Sequence, residues 1–500
     1  MTVILGIDQS TSATKAMLFQ ENGVMLGKVS IPHKQIYPKP GWVEHDAEEI
    51  FQNVLGSVER LFESNLDSRD EILCLSMTNQ RETIVVFDRQ TGAPLYHAIV
   101  WQCRRGSEIC KNLVAEGKDA IVRRKTGLPI DTYFSASKLK WLVENSPEIR
   151  SKLDAGEALI GTIETYLIYR LTDGQSFVTD HTNACRTLLY DINNLCWDEE
   201  LCEIFNVPIK ALPEVRESSA QFGKTDLKGL LADPLPICGV MGDSQAALFA
   251  ERGFDPGSAK VTLGSGSSVL LNIGSEPKHA EKGVVTTLAW VYEEQPTYAF
   301  EGIINFTGAT IAWLKDQVKI IDDAGDTEML AKSVEDNSGV YLVPAFVGLS
   351  APYWRADVKA AILGMTPHTT KAHIARAALE AVVYRIKDVL GLMSDEANLE
   401  LTCLHADGGM VRNQFLLQFL ADLLNIRVRV SDLPEVSALG AVMAGLLGMG
   451  QIVALEDLQT LPFESVDYLP EMPQEKIELL YAGWQKAVRQ VLATFIDEKD

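Results

Sequence analysis

Five hundred residues leave room for two large domains or about three average ones, and a chain of that length buries a substantial core. Its 45 Lys plus Arg against 68 Asp plus Glu give a formal charge of −23, which argues against nucleic acid or an anionic membrane as a partner, because phosphate contacts need clustered cations. Hydrophobic residues at 46% and charged residues at 23% exclude the disordered, collagen-like and coiled-coil classes. The acids are spread along the whole chain, and only Asp497–Asp500 looks like a tail. Eight dispersed cysteines, with no Cys-x-x-Cys and no histidines at zinc-ligand spacing, read as reduced thiols, mostly buried. Met1 to Asp8 runs into an apolar strand pattern with neither a basic region nor a cleavage site, and no apolar stretch reaches the ~20 residues of a membrane span. The expected location is the cytoplasm.

In chain order, Val3 to Ile31 holds three β-type runs, joined by a Ser/Thr-rich turn and then by Glu21-Asn22-Gly23, which predicts an antiparallel meander. Asp46 to Asn65 carries apolar residues at the 3-4 spacing of an amphipathic helix, and a strand at Ile72 to Met77 follows it. Strands first and crossover helices after describe a mixed sheet with helices on its faces. The order returns at Ala259 to Ile273, a strand, a small-residue turn and a strand, followed by helical patterns at Ala309 to Val318 and His373 to Met393. This pattern predicts an internal duplication. The turn chemistry of Gly253-Phe254-Asp255-Pro256-Gly257 puts the boundary between Gln245 and Gly257, dividing the chain into 1–250 and 251–500. The last segment, from Leu461, ends in an amphipathic helix with Leu479, Leu480, Trp484, Val488 and Val491 on one side, able to pack on either half.

Four motifs carry chemistry. Asp8-Gln9-Ser10-Thr11-Ser12-Ala13-Thr14-Lys15 sets an acid at a strand end, then hydroxyls and small residues, then a lysine. Such a bend lets backbone N–H groups approach an anion, or it is an ordinary polar hairpin. Leu263-Gly264-Ser265-Gly266-Ser267-Ser268 repeats that chemistry in the second half, so that two loops facing a cleft would hold the two ends of a polyphosphate. Ala406-Asp407-Gly408-Gly409 stands between a strand pattern and the helical Gln414 to Leu424, as a phosphate rest or a plain turn. In Gly242-Asp243-Ser244-Gln245, Asp243 is either a helix N-cap or a catalytic acid-base group.

The sequence resembles the FGGY carbohydrate kinases, and the glycerol kinases among them, nearly end to end. The resemblance is carried by GIDQSTSATKA from Gly6, GWVEHD from Gly41, TNQRET from Thr78, AIVWQCRR from Ala98, YFSASKLKW from Tyr133, TNACRTLLYDI from Thr182, GDSQAALFA from Gly242, VPAFVGLSAPYW from Val343, AAILGMTPHTTKAHIARAALE from Ala360 and ADGGMVRNQFLLQFL from Ala406. It implies an α/β fold of two actin-like, ribonuclease-H-like domains closing on ATP, with the catalytic cleft between them and the polyol held mainly by the first. Matched position by position, the polyol contacts fall on Arg81, Glu82, Trp101, Tyr133 and Asp243. The nucleotide contacts fall on Ser12, Ala13, Thr14, Lys15, Ser265, Gly308, Gly409 and Asn413. Asp243 takes the role of base toward the attacking hydroxyl, and Asp8 orients Mg²⁺ through water. A Trp101 wall beside a charged Arg81 and Glu82 suits the C–H faces and hydroxyl edges of a polyol. Without the surrounding motifs, Trp101 would read as core and Arg81 with Glu82 as a surface ion pair.

The chain departs from the glycerol kinases at four positions. Lys15 replaces an arginine and Ala312 a glutamine near the nucleotide, whereas Ser244 replaces a glutamine and Ser268 an aromatic ring in the acceptor pocket. The last two remove bulk, so glycerol is the first candidate substrate, and a tetritol or ketopentose (erythritol, xylulose or ribulose type) is the alternative. An actin-fold sugar sensor without kinase activity is the competitor from another class. It would carry a DNA-binding helix pair, and a chaperone-like ATPase would not need Trp101, Arg81 and Glu82 together. Phe222 to Pro236 lacks the Gly- and Arg-rich loop of a sugar-bisphosphate site and a histidine for phosphotransfer control, so neither mode is expected. Family resemblance implies a homo-oligomer, a dimer or tetramer.

Overall fold

Register explains how the first strands build a site. In the computed structural model, which describes residues 2–64, 71–280, 283–433 and 435–494, β1 (Val3–Gln9) is buried throughout and pairs antiparallel with β2 (Ala13–Gln20), which pairs with β3 (Met25–Pro32). β3 alternates half-buried and exposed residues, as an edge strand with one wet face does. Parallel to β1 runs β4 (Ile72–Asn79); β5 (Gln221–Thr225) and β6 (Leu235–Gly242) complete a sheet of order β5-β6-β4-β1-β2-β3. Asp8 thereby faces Lys15 on one neighbour and Thr78 on the other. The segment Phe222 to Pro236 lies in the β5–β6 hairpin. Asn65 and the tail-like Asp497–Asp500 lie outside the described residues.

The duplication expected from the sequence is present in the topology. β7 (Ser258–Leu263), β8 (Ser267–Gly274), β9 (Val285–Tyr292), β10 (Gln295–Ile304), β11 (Cys403–Asp407), β12 (Arg427–Ser431) and β13 (Ser465–Tyr468) form a second sheet of order β9-β10-β8-β7-β11-β12-β13. In both sheets a hairpin and a third antiparallel strand lie on one side, and two parallel strands capped by an antiparallel edge lie on the other. Equivalent strands thus end at equivalent places.

Helices cover the sheets. α1 (Ala47–Ser64) buries Ile50, Phe51, Val54, Val58, Leu61 and Phe62 against β2 and β3. A lobe inserted in the first half holds α2 (Ser135–Asn145), with its own apolar cluster around Leu128, Phe134 and Leu139. α3 (Asp243–Ala250) leaves β6 directly, and α4 (Gly308–Trp313) follows β10 and widens into a π turn at Leu314–Val318. α5 (Lys371–Ala397) and α6 (Gln414–Leu424) pack in the second half. The terminal helix, α8 below, also packs there.

α7 (Val436–Gly448) joins the halves. It belongs to the second half by sequence, yet it packs on α3, β4 and β6 of the first. A Cβ at Gly440 would lie 1.8 Å from the Ala246 carbonyl oxygen, so the backbones of α3 and α7 touch where only glycine fits. The apolar cluster here unites Ile4, Met17 and Phe19 of the first sheet with Leu270, Trp290 and Ala299 of the second. α8 (Gln474–Thr494) buries Ile477, Leu480, Trp484, Val488 and Val491, but Leu479 is 72% exposed, on the opposite face from the stripe assigned to it in the sequence. The described cysteines are unpaired thiols, with Cys196 exposed, and no described helix is long and apolar enough to cross a membrane.

His405 of β11 ties that strand to the end of α3, with Nδ1 3.3 Å from Glu251 Oε2. Burial disfavours the imidazolium, but hydrogen bonding to Cys403 and Glu251 and the charge of Glu251 outweigh it and raise His405 to about 9. A folded value above the unfolded one stabilises the protein fully below the ordinary histidine value of about 6.5, and that stability is lost as pH rises through 9. Burial lowers Lys138 to about 8, which acts in the opposite sense over the alkaline range. The variant isolates the histidine: His405→Gln should flatten the fall in Tm between about pH 6.5 and 9.5 relative to wild type, measured by a thermal melt series. Parallel Tm profiles for the two proteins would contradict the assignment.

Candidate active site

Four loops of the first half converge at the end of its sheet. Arg81 and Glu82 follow β4 at once, with Glu82 in a left-handed backbone conformation (φ 61°). Both are buried, so they are not the surface ion pair that the residues alone allow. Trp101 reaches in from the inserted lobe, its indole N–H donating to Thr11 Oγ1 at 3.0 Å and its ring meeting Tyr133 edge-on at 5.3 Å. Asp243 is the first residue inside α3; the N-cap is Gly242, and Asp243 Oδ1 accepts from Ser244 N (2.7 Å) and forms an ion pair with Arg81 Nε at 3.1 Å. The capping role that its sequence position suggests is therefore not the one it takes. Its side chain is 42% exposed to the cleft.

These groups line one cavity of about 760 Å³, together with Ser244, Ser268 and, from the second sheet, Lys260, Thr262 and Glu301. The cavity is lined from both halves of the chain. Arg81, Glu82, Arg186 and Glu301 form a buried quartet of two cations and two anions: Arg81 Nη2 to Glu301 Oε1 at 2.7 Å, Arg186 Nη1 to Glu301 Oε2 at 2.7 Å, and Arg186 Nε to Glu82 Oε1 at 2.7 Å. Burial raises the Glu301 carboxyl, and the guanidiniums of Arg186 and Arg81 more than reverse this, holding it at about 2. Burial raises Glu82 despite the same two arginines. Ser268 Oγ is buried with no hydrogen-bond partner. Glu301, Arg186 and Lys260 escaped the sequence reading, although a charge set between apolar neighbours in a strand, as in Ala259-Lys260-Val261 and Phe300-Glu301-Gly302, is a usable signal.

Across the cleft three backbone loops of the second half meet. Gly308 N donates to the Gly264 carbonyl (2.9 Å), Thr307 N and Ala309 N donate to the Ser265 carbonyl (3.0 Å each), and Gly408 (φ 97°) packs its Cα on the Leu263 backbone. Ser265, Gly308 and Gly409 are brought together, and the Cβ position of Gly409 is open. Asn413 is occupied as the N-cap of α6, accepting from Leu416 N at 3.0 Å. On the first-half loop Ser12 is exposed and Ala13 half-buried, whereas Thr14 is fully buried with its hydroxyl unpartnered, so its side chain is no nucleotide contact. Lys15, a nucleotide contact by the resemblance, is engaged within the protein: Nζ lies 3.0 Å from Asp8 Oδ2 and 2.7 Å from Glu435 Oε2. Ala312 is exposed on α4.

Asp8, at the end of β1, is buried. Burial raises its carboxyl, Lys15 lowers it, and the negative charges of Asp243 and Glu435 raise it again. Asp8 and Asp243 are hard oxygen donors of the kind that fits Mg²⁺, which takes one or two carboxylates and completes its shell with water and phosphate. Among the described residues no group of three or more His, Cys, Asp or Glu could hold a metal without such help.

The FGGY family of carbohydrate kinases matches this chain in two parts, its N-terminal domain at residues 3–250 and its C-terminal domain at 259–449. The chain belongs to the FGGY carbohydrate kinases. It is 47% identical to glycerol kinase 1 of Thermotoga maritima over 98% of this chain and 99% of that one, and 43% identical to a glycerol kinase of Stenotrophomonas maltophilia over 99% of both. The structure of Plasmodium falciparum glycerol kinase with ADP superimposes with a TM-score of 0.94 at 37% identity, covering 98% of each chain. A xylulose kinase of Lactobacillus acidophilus shares the fold, with a TM-score of 0.88 at 22% identity.

In this FGGY kinase the loop that presents Tyr133 is moored by one buried amine. Lys138 Nζ, on α2, donates to the carbonyls of Thr132 (2.8 Å), Tyr133 (2.9 Å) and Phe134 (2.7 Å). Lys138→Met preserves the apolar stem and leaves three carbonyls without their donor. Amide exchange at 131–135 should then accelerate roughly tenfold or more, the effect of one or two lost buried hydrogen bonds, with α1 unchanged as internal control. Unchanged exchange in that loop would show that Lys138 does not hold it.

Proposed function

We propose that this chain transfers the γ-phosphoryl group of ATP to a terminal hydroxyl of a small polyol, with glycerol the first candidate. The relatives in which that activity is named match over nearly the whole chain, and one structural neighbour carries ADP. The observation that carries the reading is the shared cavity of Asp243, Arg81, Glu82, Trp101 and Tyr133, facing three bare-backbone loops. In this reading 1–250 supplies most of the acceptor contacts and 251–500 the nucleotide loops.

Phosphoryl transfer asks the protein for alignment and charge stabilisation more than for covalent chemistry. Asp243 accepts the proton of the attacking hydroxyl; the oxygen so released bonds to the γ-phosphorus as the bond to the β,γ-bridging oxygen breaks and ADP leaves. Arg81 fixes Asp243 by its 3.1 Å contact and offers N–H to an acceptor oxygen, Glu82 accepts a hydrogen bond from an acceptor hydroxyl, and Trp101 covers the carbon chain. Backbone N–H groups of the Ser265 and Gly409 loops meet phosphate oxygens, while those of Thr307, Gly308 and Ala309 brace the Ser265 loop through the Gly264 and Ser265 carbonyls. Asp8 and Asp243 are the groups that would hold Mg²⁺, which when bound supplies positive charge to the phosphate oxygens. The charge environment agrees: a neutral buried quartet leaves Asp243 as the excess anion beside the hydroxyl.

A longer acceptor is the second reading, favoured by the small side chains of Ser244 and Ser268 in the lining of a cavity of about 760 Å³. Filling it discriminates. Ser244→Gln with Ser268→Phe should shift the kcat/KM ratio of glycerol over erythritol, ribitol or a ketopentose toward glycerol, by roughly 10- to 200-fold for a few methylene equivalents of contact. A flat ratio, or one moving toward longer substrates, would remove both positions from the acceptor pocket. For the reaction itself, a coupled ADP-release assay on Asp243→Asn should show kcat reduced by ~10²–10⁴ with Tm and polyol binding retained. Near-normal kcat would deny Asp243 the role of base.

A further inference from the structure

Arg81 is oriented from the far half of the molecule. Its Nε is used by Asp243 (3.1 Å), Nη1 by Gln245 Oε1 (3.0 Å) and Glu301 Oε2 (3.4 Å), and Nη2 by Glu301 Oε1 (2.7 Å). The three hydrogen bonds take both N–H groups of Nη1 and one of Nη2, and the ion pair with Asp243 lies at Nε, so one N–H on Nη2 is left for a ligand, in a residue that lines the cavity. Glu301 stands on β10 of the second sheet, and its two oxygens grip both forks of Arg81, so it decides where that last N–H points. The same carboxylate holds Arg186, which in turn holds Glu82.

We propose that Glu301 is a positioning residue for the acceptor: it aims Arg81 at the polyol and thereby makes acceptor binding depend on contact between the two sheets. The inference rests on the acceptor-kinase reading and adds to it a residue that touches no reacting atom. Its effect is confined to the acceptor side, because no contact of Glu301 reaches the loops at Ser265, Gly308 or Gly409. Removing its charge therefore weakens polyol binding and leaves ATP binding in place. It acts mainly through Arg81, so most of the loss disappears when Arg81 is already gone, and what is left runs through Arg186 and Glu82.

The test is steady-state kinetics with glycerol and ATP on wild type, Glu301→Gln, Arg81→Ala and the double variant. Glu301→Gln should raise the glycerol KM by about tenfold to a hundredfold, the worth of a hydrogen bond to a charged group, with ATP KM within about twofold of wild type. Added to Arg81→Ala, it should change glycerol KM by less than about twofold. Glu301→Asp keeps the charge and shortens the reach; it serves if the glutamine variant fails to fold, and should raise glycerol KM by more than about threefold, the lower end of a weakened charged hydrogen bond. An unchanged glycerol KM in these variants, an equal rise in both KM values, or full multiplication of the two single effects in the double variant would overturn the proposal. Wild-type turnover of glycerol, read in the same assay, reports on the acceptor-kinase reading alone, and the ratios of variant to wild type report on Glu301.

Discussion

Two arginines and two glutamates buried together between two sheets are the constraint on which the rest of the molecule turns. Each charge removed from water carries a desolvation penalty, and a buried pair holds only when geometry and hydrogen bonds are near ideal. Arg81, Glu82, Arg186 and Glu301 answer it with ion-pair contacts of 2.7 Å and four charges summing to zero, although Arg186 Nη1 makes its contact outside hydrogen-bond geometry. Apolar residues of the same volume would stabilise the fold at least as well. What the quartet supplies instead is a guanidinium held rigidly at the wall of a cavity, beside an exposed carboxylate that it does not neutralise fully.

The rest of the fold brings those four residues to one place. β4 and β6 deliver Arg81 and Asp243 just past their ends, and β10 carries Glu301 within the strand to meet them. α3 carries Asp243 at its first turn and meets α7 through backbone contact at Gly440, so the second half grips the helix bearing the candidate base. At the other end of α3, Glu251 reaches His405 of the second sheet. Acceptor chemistry and contact between the halves are mechanically the same problem here.

Much of this was legible in the sequence for local reasons. The meander at Val3 to Ile31 follows from alternation and turn residues that involve no distant partner, and the repeat at Ala259 to Ile273 follows for the same reason. Arg81, Glu82, Trp101, Tyr133, Asp243, Ser244 and Ser268 do share one cavity, as the motif positions implied. What stayed hidden depends on long-range contact. Lys15 looks like a phosphate-seeking charge until strand register sets it against Asp8 and Glu435 arrives from 420 residues away. Thr14 alternates inward, a consequence of pleating that a motif match ignores. Glu301 has no neighbour in sequence that suggests chemistry, and only the meeting of β10 with Arg81 and Arg186 gives it any. Leu479 was misassigned because an apolar stripe one residue too wide still satisfies a helical period.

In the proposed reaction the acceptor is bound between the two sheets, at the free N–H of Arg81 and the carboxylate of Asp243. A crystal structure with glycerol and a non-hydrolysable ATP analogue tests this most directly. It should show a terminal glycerol hydroxyl within hydrogen-bond distance of Asp243, a neighbouring oxygen on Arg81 Nη2, and the Arg81–Glu301 contact intact. Glycerol bound away from Arg81 and Asp243, or an Arg81 released from Glu301 in the complex, would contradict it.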